Sequence, residues 1–288
     1  VENRDFKSDV FSMLMEDKEN ALQVYNALNG SSYHDPEQVE NSISNITNHL
    51  EYLGFYGSEV ESEIKVNKKK VSVTYNVSLG KPYTIKDISI VLPERGEFRE
   101  AFLADTAAMS VRKGDILAEQ SLEEETEAMA ASLRNKGFYT FSKNNFFFEA
   151  DTFSIPGYAL LEMKVNEYTR NETPKDAQPI RKFYIDDVTF SYPKTLKIRE
   201  KILRDLNTVI PGEVYSEDMV NHTYSRLSAL RVFSSVNIGM TTKDTNLVDC
   251  SISLAQSKLQ GFKINLEAST NSSGLFGISP QISYYHKN

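Results

Sequence analysis

The residues most able to do chemistry are few and scattered. Cys250 is the only cysteine and the four histidines lie far apart, so the chain can form neither an internal disulfide nor a cysteine-based zinc site. Glu123, Glu124 and Glu125 could bind a metal, but we place them in the first turn of a helix, where acidic residues favour the helix dipole. No local pair of nucleophile and base is indicated. We therefore predict a protein that is not an enzyme and needs no metal or cofactor.

Two other charged runs invite a functional interpretation. Glu59, Glu61 and Glu63 alternate along a predicted strand, as the acids of a nuclease core would. Alternation also puts all three on one face of that strand, and we interpret them as a solvated face. The lysines at 68–70 could contact lipid head groups, yet a basic run between two strands is more typical of an exposed hairpin turn.

The overall charge argues against a nucleic-acid partner. The 288 residues carry a formal net charge of -8, whereas proteins that bind phosphate backbones usually present a basic face. No apolar run is long enough for a membrane-spanning helix, and no export signal is visible in the charged first residues. These features favour a folded binding protein over a nucleic-acid-binding one.

Hydrophobic periodicity predicts an α+β fold made of a repeated unit. A helical stripe followed by two alternating strands occurs three times, and another strand and helix precede the second and third copies. The full unit is therefore strand, helix, helix, strand, strand. We predict full units at 81–168 and 181–257, a linker at 169–180, and the rear half of a unit at 41–80.

Related residues end the last helix of each unit. The three sequences are LGFYGSEV at 53–60, KGFYTFSK at 136–143 and LRVFSSVN at 230–237. We interpret Phe55, Phe138 and Phe233 as equivalent core aromatics. Ser121 and Glu124 have the spacing of a capping box, which predicts that the last helix of the first full unit begins there.

This order of elements, with GKPYTIKDI as a first strand and GFY at a helix end, resembles the polypeptide-transport-associated (POTRA) module. The final residues, QGFKINLEASTNSSGLFGISPQISYYHKN, alternate as two strands around an Asn-Ser-Ser-Gly turn. They resemble the start of the barrel in the BamA/TamA outer-membrane assembly family, of Bacteroidota type. The resemblance covers residues 41–288. It implies tandem POTRA modules, each a three-stranded sheet on two helices, followed at 258–288 by the first hairpin of a truncated transmembrane β-barrel.

The resemblance also implies a function. The chain would be the periplasmic arm of a factor that assembles or translocates outer-membrane proteins, attached to the bacterial outer membrane through the barrel strands. Its partners would be unfolded outer-membrane proteins and accessory assembly proteins. The physical means would be β-augmentation, in which an extended client adds a strand to an open sheet edge. A purely structural spacer is the alternative that involves no binding.

The candidate binding strands follow the last helix of each full module. In the first module the residues are Asn144, Asn145, Phe146, Phe147, Phe148 and Glu149. In the second module they are Ser235, Val236, Asn237, Ile238, Gly239 and Met240. We expect each set to lie at an accessible edge of its sheet.

Residues 1–40 are predicted to be a helical segment of a different type. The apolar residues that recur at helical spacing are Phe6, Val10, Leu14, Leu22, Tyr25 and Leu28. The stretch resembles the N-terminal helices of recombination-promoting PD-(D/E)xK nucleases, which makes a metal-dependent nuclease the rival hypothesis. The nuclease core does not follow, so no catalytic residue is assigned. We expect this segment to pack poorly on a half module that lacks its first strand.

Overall fold

The computed structural model describes residues 22–27, 36–67, 70–94, 96–194, 198–243, 246–258, 260–270 and 276–286. Within these residues, three three-stranded sheets and one two-stranded hairpin are formed. The chain divides into two compact units, which are treated separately below. The first unit is Val1–Ala130 with Ser142–Gln178, and the second is Ala131–Phe141 with Pro179–Asn288.

The first sheet belongs to the first unit and is covered by one described helix. Its elements are β1 (Leu22–Ala27), α1 (Pro36–Tyr52), β2 (Glu59–Asn67) and β3 (Lys70–Ser78). The strands are ordered β1-β3-β2, so β3 is central. The apolar stripe predicted on α1 is buried at Val39, Ile46 and Leu50, and it shares a core with Val73 and Val77 of β3.

The strand β1 corrects the prediction made for the start of the chain. Leu22–Ala27 is not helical but pairs antiparallel with β3, from Leu22 opposite Val77 to Ala27 opposite Ser72. A short apolar run is compatible with the periodicity of a helix and with that of a strand. Here it forms a strand because it pairs with the open edge of β3. The sheet at 41–80 therefore does not lack a third strand. The predicted helix around Phe6, Val10 and Leu14, and the position of Leu28, lie outside the described residues.

The second sheet, also in the first unit, shows the predicted full order. Its elements are β4 (Thr84–Val91), α2 (Glu97–Asp105), α3 (Glu119–Asn135), β5 (Phe146–Asp151) and β6 (Tyr158–Val165). The order β4-β6-β5 makes β6 central, parallel to β4 and antiparallel to β5. Strand β6 buries Ala159, Leu161, Met163 and Val165, the alternate residues expected of a strand with one core face.

The third sheet, in the second unit, repeats this arrangement. Its elements are β7 (Tyr184–Ser191), α4 (Glu200–Leu206), α5 (Glu217–Ala229), β8 (Phe233–Thr242) and β9 (Leu247–Gln256). The order β7-β9-β8 again makes the last strand central and leaves β8 at an edge. The core is formed by Ile185, Leu203, Leu227, Val248 and Ile252. The α+β fold class predicted from periodicity is confirmed.

A side chain of the last helix fixes the preceding loop in both full modules. Glu125 of α3 is buried and accepts hydrogen bonds from Ser110 N at 2.6 Å and Val111 N at 3.0 Å. In the second unit, the Thr223 hydroxyl of α5 is buried and accepts from Thr208 N at 2.9 Å. Both side chains thus satisfy loop N–H groups that have left the preceding helix.

The start of α3 differs from the prediction. The helix begins at Glu119, because Leu122 N already donates to Ala118 O, so Ser121 lies inside the helix and not at its N-cap position. The acidic run that includes Glu123 and Glu125 consequently falls beyond the first turn. Glu125 is a buried hydrogen-bond acceptor and not the solvated first-turn acid that the sequence suggested.

Left-handed residues end the last helix of each module. Gly54 and Gly137 have φ of 92° and 104°, and Arg231 takes the same place with φ of 55°. Because Arg231 replaces the glycine, the residue equivalent to Phe55 and Phe138 is Val232, and the predicted equivalence of Phe233 is wrong by one position. A Cβ on Gly54 would lie 2.6 Å from Leu117 O, so glycine is required there by space as well as by φ.

The last two strands form the predicted hairpin. Strands β10 (Gln260–Thr270) and β11 (Phe276–His286) pair antiparallel, with Phe262 opposite Tyr284 and Ile264 opposite Ile282. These four apolar side chains are exposed. The predicted Asn-Ser-Ser-Gly turn lies outside the described residues. No helix in the described part of the chain is long and apolar enough to cross a membrane.

Candidate functional site

Both sets of predicted binding residues lie at sheet edges. Phe146–Glu149 belong to β5, while Asn144 and Asn145 form the short 3₁₀ turn that leads into it. Ser235–Met240 all belong to β8. Each of these strands pairs with the central strand of its sheet on one side and with no strand of the described chain on the other. An edge strand of this kind can accept a further strand.

The hydrogen bonds around β5 show which of its backbone groups point outward. Asn145 O accepts from Asn166 N at 3.0 Å, so Asn145 faces the central strand. In an antiparallel pair, alternate residues face the partner. Phe148 and Ala150 therefore direct their N–H and C=O groups away from the sheet. They are the backbone positions at which an added strand would bond.

The backbone groups at the beginning of β5 already form hydrogen bonds with other residues of the chain. Phe146 N donates to Lys143 O, and Phe146 O accepts from Arg170 Nε at 3.1 Å. Arg170 N donates to Asn144 O at 3.0 Å, and the rings of Phe147 and Tyr168 pack 5.5 Å apart. The open part of the edge is therefore the second half of β5.

A groove of about 590 Å³ runs beside β5 in the first unit. The sheet contributes Phe147, Phe148 and Glu149 to its walls, and helix α3 contributes Leu122 and Glu123. Its other walls include Tyr52, Tyr56, Lys143 and Arg170. The lining thus combines aromatic rings with charges of both signs, which suits an extended peptide with mixed side chains.

One end of the groove holds an ion-pair cluster. Lys143 Nζ lies 2.9 Å from Glu123 Oε1 and 3.0 Å from Glu127 Oε2, and the Tyr52 hydroxyl donates to Glu123 Oε2 at 3.1 Å. The Lys143 ammonium lowers the pKa of the Glu123 carboxyl, and the same contact raises the pKa of Lys143. Burial, with the nearby Glu123 carboxylate, raises the pKa of Tyr52. The lysine is therefore occupied by two carboxylates.

The open half of β5 is acidic. Lys164 bridges Glu149 at 2.6 Å and Glu162 at 2.8 Å, so one ammonium serves two carboxylates and its pKa is raised by them. Asp151, at the end of β5, accepts hydrogen bonds from the Ser154 hydroxyl and from the N–H groups of Phe153 and Ser154. These bonds lower the pKa of Asp151, which therefore stays ionised.

The edge strand β8 in the second unit can be oriented in the same way. Lys243 N donates to Leu247 O at 3.0 Å, so alternate residues counted back from Lys243 face β9. Val236, Ile238 and Met240 therefore point their backbone groups outward, while their side chains pack against the core. The Tyr139 hydroxyl donates to Met240 O at 3.4 Å, which leaves Val236 and Ile238 as the open positions.

The described residues form no group suited to a metal ion, and the one cysteine is buried. No group of three or more His, Cys, Asp or Glu side chains within them could hold a metal ion. Cys250 is buried in the core of the second unit, and burial raises its pKa to about 11, which keeps the thiol protonated. The acids Glu59, Glu61 and Glu63 lie along β2.

Sequence reasoning missed the residues that close the groove. Arg170 lies beyond the end of β6, and Tyr52 and Tyr56 lie at the exit of α1. None of them belongs to the periodic pattern that identified β5, so only the fold brings them beside it. The sequence carries no signal for Arg170 other than its charge.

Comparison with known proteins gives one family match. A family model described as "POTRA: Surface antigen variable number repeat" matches residues 1–80. The comparison with curated proteins gave no match. The match confirms the predicted resemblance to POTRA modules and shows that it includes residues 1–40. It gives no support to the nuclease resemblance predicted for those residues.

Solved structures of POTRA-containing proteins are similar at low sequence identity. The BamA POTRA3-5 structure from Haemophilus influenzae is 17% identical with a TM-score of 0.49, over 79% of this chain and 83% of that one. BamA from Haemophilus ducreyi lacking POTRA domains 1-3 is 17% identical with a TM-score of 0.46, over 68% of this chain and 34% of that one. POTRA1-3 of Omp85 from Anabaena is 14% identical with a TM-score of 0.28, over 77% and 82%.

The family match covers residues 1–80, and the two later modules repeat the order strand, helix, helix, strand and strand that was predicted for such modules. Residues 1–80 of this chain are therefore similar to the POTRA family, and two further units of the predicted order follow them.

Proposed function

We propose that the chain is the periplasmic arm of an outer-membrane protein assembly or translocation factor of the BamA type. Its modules bind unfolded client proteins or partner proteins by β-augmentation and pass them to a membrane barrel. The hairpin β10–β11, with its exposed apolar residues, is the start of that barrel. A band of apolar side chains alternating with polar ones is what a lipid-facing strand pair needs.

The observation that carries the proposal is the open edge of β5. Phe148 and Ala150 present outward backbone groups beside a groove lined by aromatic and charged side chains. Main-chain pairing tolerates many sequences, which suits a receptor for unfolded proteins that share no common motif. The edge of β8 offers a second, shorter position of the same kind in the other unit.

Site-directed photocrosslinking in cells tests the proposal. The photoreactive residue replaces Glu149 on β5 or Asn237 on β8, because both side chains are exposed on the candidate strands. Lys201, exposed on α4 and outside both candidate strands, is the matched control. We expect crosslinks to newly exported outer-membrane proteins from the two strand positions and not from Lys201.

The spacer alternative predicts a different result. If Glu149 and Asn237 give no more crosslinked product than Lys201 in a folded chain, the edges do not bind clients. Crosslinking from only one of the two strands would restrict the binding function to the unit that carries it.

A further inference from the structure

We infer that Asp87 and Asp187 are specificity-determining residues that prevent a strand from adding to β4 and β7, so that each of these sheets pairs with a client through its other edge. The inference rests on the proposed function and specifies which edge of each sheet takes part. A three-stranded sheet has two edges, and β4 and β7 lie opposite β5 and β8, with no further strand of the described chain beside them.

Each aspartate closes one exposed backbone donor of its strand. Asp87 Oδ1 accepts a hydrogen bond from Ile88 N at 2.8 Å, and Asp187 Oδ1 accepts one from Val188 N, also at 2.8 Å. The carboxylate oxygen thus takes the place that a carbonyl oxygen of an added strand would need. The Lys113 ammonium and the Ile88 N–H lower the pKa of Asp87 and keep it ionised. An ionised carboxylate only accepts hydrogen bonds, so it also repels the incoming carbonyl.

The turn before the last helix closes the preceding outward residue of the same strand. Ile85 N donates to Asp115 O at 2.8 Å, and Gly114 N donates to Ile85 O at 2.8 Å. In the second unit, Ile185 makes the corresponding bonds with its own turn at 2.9 and 2.7 Å. A β-bulge after each isoleucine interrupts the pairing with the central strand. In β4 the next residue whose N–H faces outward is therefore Ile88.

These contacts leave β4 with too little open edge. Alternate residues face outward, so Ile90 is what remains of the edge beyond Ile88. On β5, Phe148 and Ala150 provide two outward residues in succession. Without the Asp87 carboxylate, Ile88 and Ile90 would give β4 the same number. One side chain therefore decides between the two edges of the sheet, in the way that natural sheets block an unwanted edge.

Access to the edge is not what prevents pairing. A groove of about 680 Å³ lies beside β7, and Val188, Phe190 and Tyr192 line it together with Glu200 and Arg204 of α4. Its size and its mixture of aromatic and charged side chains match those of the groove beside β5. An extended peptide has room beside β7, so the closed backbone donor is what sets this edge apart.

Photocrosslinking of a peptide to the purified full chain tests the inference. The probe is a fluorescent peptide of alternating valine and threonine, and the photoreactive residue replaces Ser89 on β4 or Glu149 on β5, which are both exposed. We expect labelling from Glu149 and little from Ser89. Asp87→Ala should raise the labelling from Ser89 about fivefold or more, as the gain of one backbone hydrogen bond would give, and leave that from Glu149 unchanged.

Two further variants separate the acceptor oxygen of Asp87 from its charge. Asp87→Asn keeps an oxygen that can accept from Ile88 N, so the labelling from Ser89 should stay low. Lys113→Met removes the ion-pair partner at 2.6 Å and leaves the carboxylate in place, so this matched control should also stay low. A merely structural role of Asp87 would lower the melting temperature without adding a label to β4.

The second unit provides an independent repetition, with the photoreactive residue at Thr189 and the variant Asp187→Ala. Equal labelling from Ser89 and Glu149 while Asp87 is present would overturn the inference. Labelling that stays confined to Glu149 after either aspartate is replaced would overturn it as well, and both results leave β-augmentation at β5 standing. Absence of labelling from Glu149 contradicts the proposed function instead.

Discussion

At the scale of single residues, a few buried polar groups fix the loops that shape each module. Glu125 and Thr223 occupy the same place in their helices and accept loop N–H groups, although one is a carboxylate and the other a hydroxyl. The loop therefore requires a buried hydrogen-bond acceptor at this position of the helix, and the acceptor need not be charged. This is why the sequence pattern did not reveal it: the two side chains share a geometry without sharing a residue type.

Replacing Glu125 by alanine removes the acceptor of the buried Val111 N–H and of the partly buried Ser110 N–H. We expect the free energy of unfolding to fall by about 2–3 kcal/mol, the usual cost of leaving buried donors unsatisfied. Urea denaturation measures it. Glu124→Ala, at an exposed neighbouring position, is the control and should change stability by no more than about 0.5 kcal/mol. Equal losses in both variants would mean that Glu125 acts only through helix propensity.

Gly54 and Gly57 illustrate two different reasons why a position requires glycine: backbone conformation and lack of space for a side chain. Both have positive φ, but a Cβ on Gly54 would lie 2.6 Å from Leu117 O, while a Cβ on Gly57 meets nothing within 4 Å. We expect Gly57→Ala to cost about 1 kcal/mol through its backbone conformation alone. Gly54→Ala should cost about 1–3 kcal/mol more, because a backbone atom must move. Similar melting temperatures for the two variants would contradict the close approach.

At the scale of elements, periodicity predicted the strands and helices whose apolar residues alternate or recur over many residues. Helix α1 and strands β3, β6 and β9 lie where the pattern placed them, because one face of each is buried. The pattern failed at Leu22–Ala27, because six residues are compatible with both helical and strand periodicity, and pairing with the edge of β3 makes them a strand. It also could not place Arg170 beside β5, since a residue beyond a strand's end has no periodic signal.

Proline at position 150 tests the edge of β5 directly. The N–H of Ala150 points away from the sheet, and its side chain is exposed, so Ala150→Pro should keep the fold and remove one bond to an added strand. We expect a fluorescent peptide of alternating valine and threonine to bind this variant about fivefold or more weakly than the unaltered chain in fluorescence anisotropy, with unchanged circular dichroism. In the matched variant Glu149→Pro, the lost N–H faces β6, so the melting temperature should fall. Undiminished peptide binding by Ala150→Pro would exclude pairing at that residue.

At the scale of the whole molecule, charge and stability vary together with pH. The pKa of Asp87 is lowered by its bond to Lys113, that of Glu123 by Lys143, and that of Asp151 by Ser154. A carboxyl whose pKa is lower in the folded state stabilises the fold above its unfolded pKa and loses that contribution as pH falls through the folded value. The chain should therefore be less stable in acid than at neutral pH.

We expect the melting temperature to be constant between about pH 6 and 8 and to fall below about pH 4, where carboxyls of the unfolded chain begin to bind protons. Differential scanning calorimetry across this range measures it. The melting temperature of Asp151→Asn, which lacks one of the three carboxyls, should fall less on acidification than that of the unaltered chain. A melting temperature that rises as pH falls from 5 to 3 would contradict the sign of all three contributions.

The left-handed residue at each helix end has an evolutionary consequence. Gly54 meets Leu117 in the first unit, and Gly137 meets Val214 in the second, so in each case a module contributes the glycine and its successor contributes the turn. The second module contains both halves of this fit, because it supplies the turn at Leu117 and the glycine at Gly137. A duplication of the second module therefore carries a matched turn and glycine with it, whereas the third module, which has Arg231 in place of the glycine, would need a substitution before a further module could pack on it in the same way.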